Sequence, residues 1–395
     1  MTNLMQASNE WATRPDDERF WTLDEMWKSA NRSRMASRVE TWDFFDPDAV
    51  RIMDDMDGGL ALYPEQGKRA GLTHFAFGQL CRTVNAPASY LRSLPATLAA
   101  DCLHTNRIAA KDCGPRQMLI QANESLGTNT VHAMTSERYS RIWNEEIITR
   151  LIDLEDDGWR VPVARPVDYD APRTRIATED DVIDYGHESA LTVKVGDLIG
   201  PAGLYASDHD MFAFLINPDT VIEDGESPGG LRRGTMIRQS EVGDCAIWKM
   251  DFLFNTVCGN HIVWGAQNIR ETRVRHVGNQ VGPKWQAMVE SIEQYADSSA
   301  EQQESEIRRA KEIILGDDRD SVVDFLFGKR LLSRKNAEKA YDMADAYESV
   351  HGNPRSVWGM VQGVTRLSQD TTFGDSRATL DMAAGKILAG ALSLN

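Results

Sequence analysis

The 395-residue chain lacks any uninterrupted apolar run of about 18 residues, so no membrane span is expected. Its first residues, Met1-Thr2-Asn3-Leu4-Met5-Gln6, lack the basic region and apolar core of a signal peptide. Cysteine is sparse: Cys81, Cys102, Cys113, Cys245 and Cys258 are an odd number with no Cys-x-x-Cys pair. A reduced, cytoplasmic setting fits this usage, and a structural zinc site would lack its paired ligands. Neither a His-Glu-x-x-His helix nor a P-loop is found, so zinc-type and ATP hydrolysis lack support. Positive charge is also in short supply. The 43 Lys and Arg stand against 60 Asp and Glu, for a net charge of −17. That balance excludes a protein that wraps nucleic acid over its whole surface but permits a local groove.

The positive charge that is present gathers in one stretch. Between Leu231 and His276, strand-like apolar runs alternate with Arg232, Arg233, Arg238, Lys249, Arg270, Arg273 and Arg275. These bases outnumber Glu241, Asp244, Asp251 and Glu271, giving a local net charge of +3. A reversal of sign in an acidic chain suggests a site for something anionic. Arginine makes forked, charge-assisted bonds to phosphate, and the interleaved Trp248 and Trp264 are candidates to stack on exposed bases. The competing reading is that these arginines pair with acids on neighbouring strands. Arg138 and Tyr139, in Ser136-Glu137-Arg138-Tyr139, extend the candidate interface; alternatively Ser136 caps a following helix and Tyr139 packs at its entry.

The apolar content of 42% and ten Trp support a folded core. Residues 1–70 read as an irregular, Trp-rich arm with a helix from about Leu23 to Arg38. Residues 71–276 read as the core. Helical spacing of Phe77, Leu80, Cys81 and Val84 comes first, then a break at Pro87 and another at Pro95. Met118–Ala122 and Thr130–Met134 read as paired strands, and a helix is expected from about Asn144 to Asp153. Residues 155–185 are acidic and aperiodic, an expected loop or insertion. Further strands follow to residue 276, and 277–395 reads as helical. Strands cluster centrally without βαβ alternation, so the expected class is α+β: a helical N-terminal part, a central mainly antiparallel sheet and a helical C-terminal part.

Six short segments, in order, resemble one known family. They are Phe77-Gly78-Gln79-Leu80-Cys81 with Pro87-Ala88-Ser89-Tyr90-Leu91; Val131 to Tyr139; Gly203 to Phe212; Ser240-Glu241-Val242-Gly243; Cys258-Gly259-Asn260; and Val357 to Thr365. Together they resemble the phage/plasmid-like proteins of the domain-of-unknown-function 932 family over roughly residues 70–370. The chain departs from the family's usual pattern after its Cys, reading Cys-Gly-Asn-His, and in carrying the acidic stretch at 155–185. The resemblance implies a mobile-element origin in a bacterial host and no settled activity.

Three functions are therefore weighed. The first is binding of single-stranded nucleic acid in recombination or replication, by analogy with phage single-strand annealing proteins, as a homo-oligomer without a cofactor. The second is a metal-dependent enzyme acting on nucleic acid, with Asp208 and Asp210 holding a divalent ion. In an extended segment these two carboxylates share a side while His209 faces away. The bland reading of Asp208-His209-Asp210 is a polar turn. The third is a structural or host-interaction protein whose acidic surface meets a host factor or mimics DNA. Cys258 and His261 have the spacing of a thiolate–imidazole pair on a helix, but the run around Cys258 is that of a buried apolar thiol.

Overall fold

A seven-stranded sheet owes its position to what covers it. In Met211–Ile222 (β11), Met211, Ala213 and Leu215 face one way and Phe212, Phe214 and Ile216 the other, and all six are buried. A strand buried on both faces reads as a continuous apolar run, as this one does. β11 pairs antiparallel with Leu204–Ala206 (β10) and Leu231–Gln239 (β12). β12 pairs with Ile247–Asn255 (β13), which pairs with Asn260–Ile262 (β14) and Thr272–Val274 (β15). Arg19–Phe20 (β1) closes the other edge against β10. The computed structural model describes residues 15–54, 59–65, 68–110, 114–123, 127–162, 173–183, 193–201, 203–223, 230–255, 260–262, 272–346, 348, 352–369, 380, 383–388 and 390.

One face of this first sheet carries Met211, Ala213, Leu215, Ile237, Ile247 and Val274 against three helices. These are Leu23–Ala36 (α1), Asn144–Asp153 (α5) and Val281–Asp297 (α6), which supply Leu23, Met26, Ile147, Leu151, Trp285 and Ile292. The other face is an aromatic layer of Tyr205, Phe212, Phe214, Trp248 and Phe252, with Met236 and Met250. Gly234 is required there: a Cβ at that position would lie 2.3 Å from the Phe252 ring.

A second sheet runs in the order Ser37–Trp42 (β2), Arg116–Asn123 (β6), Thr128–Ser136 (β7), Ala70–Leu72 (β5), Leu60–Pro64 (β4) and Val50–Asp54 (β3). Its pairs are antiparallel except β5 with β7. His74–Thr83 (α2), Ala88–Leu91 (α3) and Ala96–Ile108 (α4) bury Phe77, Leu80, Leu91 and Leu103 on one face. Thr73 caps α2, its Oγ1 accepting from the Ala76 amide at 3.1 Å. Asn85, in the left-handed region at φ 54°, and Pro87 end it.

Ala300–Glu312 (α7), Arg319–Gly328 (α8), Arg334–Ala346 (α9) and Val357–Gln369 (α10) close over the Ile222, Leu231 and Leu253 end of the first sheet. Arg175–Ile176 (β8) and Leu198–Ile199 (β9) form a separate two-stranded ribbon.

The class is α+β, as expected, with two corrections. Residues 15–70 are not an irregular arm but supply β1 to β5 and α1. The expected single central sheet is two sheets, with β6 and β7 belonging to the second. Of the acidic stretch at 155–185, residues 163–172, 184 and 185 lie outside the described residues; the remainder carries a bridge from Arg160 to Ile216, β8 and a single 3-10 turn at Glu179–Asp181.

Candidate nucleic-acid interface

Most of the basic cluster is interior. Every residue of β12 is buried, Arg232, Arg233 and Arg238 included. Consecutive strand residues point to opposite faces, and here both faces are covered. Arg233 is 1% exposed and reaches the end of α6. It donates to the Ala296 carbonyl, to the Ser298 carbonyl at 2.7 Å and to Gln303 Oε1 at 3.1 Å, with its guanidinium 5.2 Å from the Tyr295 ring centre. A cation on the last carbonyls of a helix opposes the negative end of its dipole. Arg238, on the aromatic face, donates to Asp210 Oδ2 at 3.3 Å and Asp244 Oδ2 at 3.1 Å and lies over Phe212. Lys249 is buried with Asp251 at 2.7 Å and donates to Ser291 Oγ at 2.9 Å. Burial pushes the Asp251 carboxyl up, while Lys249 and Thr235 pull it back down. Trp248 is 1% exposed within the aromatic layer. Arg232, Arg233, Arg238, Lys249 and Trp248 are therefore corrected from surface contacts to core groups. Arg270, Trp264 and Cys258 lie outside the described residues.

The carboxylates of Asp208 and Asp210 both meet the His209 ring, at 2.8 Å from Nδ1 and 3.7 Å from Nε2, and are engaged by protein partners. Ser207 to Asp210 is a tight turn, not an extended segment, closed by the Ser207 amide donating to the Asp210 carbonyl at 2.8 Å. Asp208 is exposed and 2.8 Å from His209 Nδ1, which holds its carboxyl below the usual range. Asp210 is buried, accepts from Ser207 Oγ at 2.9 Å and is paired with Arg238. Among the described residues, no group of three His, Cys, Asp or Glu side chains is arranged to hold a metal ion. The bland reading, a polar turn before β11, holds here. The segment Gly225-Glu226-Ser227-Pro228-Gly229 has Gly-x-Ser-x-Gly spacing and is outside the described residues. It joins two antiparallel strands, not the strand and helix that flank a nucleophile elbow, so it carries no hydrolase argument.

Three of the expected bases do reach the surface: Arg138, Arg273 and Arg275. An antiparallel bridge between Tyr139 and Val277 joins their two segments. It is reinforced by the Ser140 amide donating to the His276 carbonyl at 2.9 Å and Ser140 Oγ donating to the Gly278 carbonyl at 3.1 Å. Arg138 and Arg275 flank this bridge, and Arg273 follows on β15, opposite Trp248. Between them Val277 is 61% exposed. Tyr139 is not a free stacking platform. Its hydroxyl donates to the Ser240 carbonyl at 3.0 Å, its ring stacks on His276 at 5.1 Å, and Arg141 lies over it at 5.2 Å. Ser136 ends β7 and does not cap α5.

The cap on α5 comes from elsewhere. Trp143 at the N-cap offers no side-chain acceptor, and the Asn144 amide donates instead to Glu241 Oε1 at 2.5 Å. Glu241 lies in the β12–β13 loop, and its carbonyl also accepts from Arg141. Part of the residue is at the surface, but the carboxyl group is enclosed, and burial pushes it up to about 7 against the pull of Asn144 and Arg141. Burial pushes His276 down to about 4. Its Nδ1 donates to the Ser140 carbonyl at 3.2 Å, which pulls the other way, while burial and the nearby Arg141 keep the ring neutral. Gln79 ties the junction to the second sheet, donating to the Val242 carbonyl at 2.7 Å and accepting from the Met134 amide at 2.8 Å. Ser240 Oγ donates to the His209 carbonyl at 2.6 Å, and Phe75 stacks on His209. Four of the six segments that carry the family resemblance thus meet where the two sheets join. Glu241, Arg141, Gln79 and His276 were missed as site residues. The signal available in the sequence was that Gln79 and Glu241 lie inside those segments. No family model, curated protein or solved structure matches the chain.

Proposed function

We propose that this protein binds single-stranded nucleic acid without cutting it, in the recombination or replication of a phage or plasmid. The contact surface is the rim formed by Arg138, Arg273 and Arg275. The observation that carries this reading is the exposure of these three arginine residues on two bridged segments, around exposed Val277, in a chain of net charge −17. Among the described residues, neither Arg138 nor Arg275 is in an ion pair, so each is available to a phosphate. The metal-enzyme alternative is disfavoured by the Asp210–Arg238 pair.

The test is fluorescence anisotropy with labelled single-stranded DNA and RNA across a salt series. Each phosphate neutralised contributes about −0.7 to the log–log slope, so three contacts give a slope of roughly −2. Arg273→Ala with Arg275→Ala should weaken binding to all sequences alike and flatten the slope by about one unit or slightly more. Absence of binding to both DNA and RNA at about 50 mM salt, where such contacts are strongest, refutes the reading. A structural or host-interaction role then takes its place.

A further inference from the structure

The segment that presents Arg138 is held from beneath by two adjacent loop residues, Ser240 and Glu241. The Glu241 carboxylate accepts from Asn144 at one end of that segment, and its carbonyl accepts from Arg141 in the middle. The neighbouring Ser240 carbonyl accepts from Tyr139, the residue next to Arg138. Arg141 is enclosed as well: its Nε and Nη2 are buried and find no acceptor. Its charge therefore depends on Glu241 for compensation, because a buried cation without an anion is costly.

We infer that Glu241 is a proton-linked clamp on the rim, taking up a proton when a phosphate backbone binds there; this rests on the nucleic-acid reading above. The groups facing the carboxyl set the direction. Arg141, and Arg34 from α1, favour its ionised form, and Glu146 on α5 opposes it. Glu145 is engaged by Arg34, which also pairs with Glu146 at 3.2 Å. Tyr139 and Cys245 flank the loop with their protons held firmly, burial pushing Cys245 up to about 12 and Tyr139 higher still. His276 faces Arg141 and is neutral near pH 7. An added anion at Arg138 and Arg275 competes for the field of Arg141 and disfavours a second negative charge at Glu241. The carboxyl then takes up a proton, and the phosphate stands in for it as the counter-charge to Arg141. By reciprocity, protons and nucleic acid strengthen each other's binding. The linkage acts from about pH 7 upward, where free Glu241 is ionised.

The experiment measures affinity of the full chain for a labelled single-stranded oligonucleotide at pH 6.5, 7.5 and 8.5 and constant ionic strength. The expected result is about threefold or greater weakening between the ends of this range in the wild type. Glu241→Gln, which keeps an acceptor for the Asn144 amide, should be flat. Equal pH dependence in both proteins overturns the clamp while leaving the nucleic-acid reading intact. A second readout needs no ligand. The difference in unfolding free energy between wild type and Glu241→Gln should fall as pH rises from 4.5 to 7, because the folded state holds a proton that the unfolded state has released. If no oligonucleotide binds at any pH, the nucleic-acid reading fails. In that case a flat difference curve overturns the titrating carboxyl itself, and a falling one leaves only its link to nucleic acid refuted.

Discussion

Replacing Arg233 with alanine should cost far more in stability than a surface arginine does. The side chain donates to three acceptors at the end of α6 and the start of α7, and it lies over Tyr295. A hydrogen bond to a charged group is worth about 1.5–3 kcal/mol, so three bonds set an upper bound of about 5–9 kcal/mol. Two corrections lower it. The Arg233 Nε is itself buried without an acceptor, a cost that the substitution removes. The freed carbonyls also belong to a helix terminus, where water can reach some of them once the guanidinium is gone. A loss of about 3–5 kcal/mol is the expected outcome, in the range for removing one partner of a buried charged network. Urea unfolding followed by tryptophan fluorescence and by far-UV circular dichroism measures it. Arg275→Ala, from the exposed rim, is the control and should change stability by no more than about 0.5 kcal/mol. Arg233→Ala costing under about 1 kcal/mol would refute the argument that this arginine fastens α6 and α7 to the sheet. Loss of nucleic-acid affinity in a fully stable Arg233→Ala protein would return the residue to the surface set.

Gly234→Ala should destabilise by about 1–3 kcal/mol through overpacking, since the new methyl would meet the Phe252 ring at 2.3 Å; the double variant with Phe252→Leu should recover part of that loss in thermal melts. Mn²⁺ should leave the melting temperature unchanged, and a rise of several degrees that disappears in Asp208→Asn/Asp210→Asn would restore the metal reading. His276 has a depressed affinity for protons, so the stability it contributes is complete above about pH 6.5 and is lost as pH falls toward 4. The difference in unfolding free energy between wild type and His276→Phe should accordingly shrink over that window, opposite in sign to the Glu241 effect.

The parts of the fold that were legible in the sequence are those with a long, one-sided or two-sided apolar period. α5 was expected from about Asn144 to Asp153 and spans those residues. The α1 expectation overran by two residues, because Ser37 turns its hydroxyl back to the Ser33 carbonyl at 2.6 Å and the chain extends into β2. β2 itself was missed: it is an edge strand, and of its six residues only Trp42 is buried. β5 is three residues long, too short to show a period. The basic stretch misled for a different reason. Sequence records that Arg232 and Arg233 are adjacent, but not that helices cover one face of β12 and aromatics the other. The distinguishing trait was that these charges sit within long strand-like runs, whereas Arg273 is on the three-residue β15 and Arg275 lies just beyond its end. Glu241 was invisible as a cap because its helix begins 97 residues earlier in the chain.

The pairing of β1 with β10 has a consequence for the timing of synthesis. Phe20 lies opposite Leu204, and Leu23 and Met26 are buried in a cluster that also contains Val274 and Trp285. At the roughly 5–20 residues per second of translation, the partners of these side chains leave the ribosome on the order of 10–50 s after they do. During that interval the apolar face of α1 is covered only in part, by α5, which supplies Ile147 and Leu151 to the same cluster. The second sheet, which needs nothing beyond β7, can assemble first, and α1 must wait beside it. A nascent chain stalled near residue 200 should therefore protect the β6–β7 hairpin from protease while leaving Arg19 and Arg32 open to cleavage.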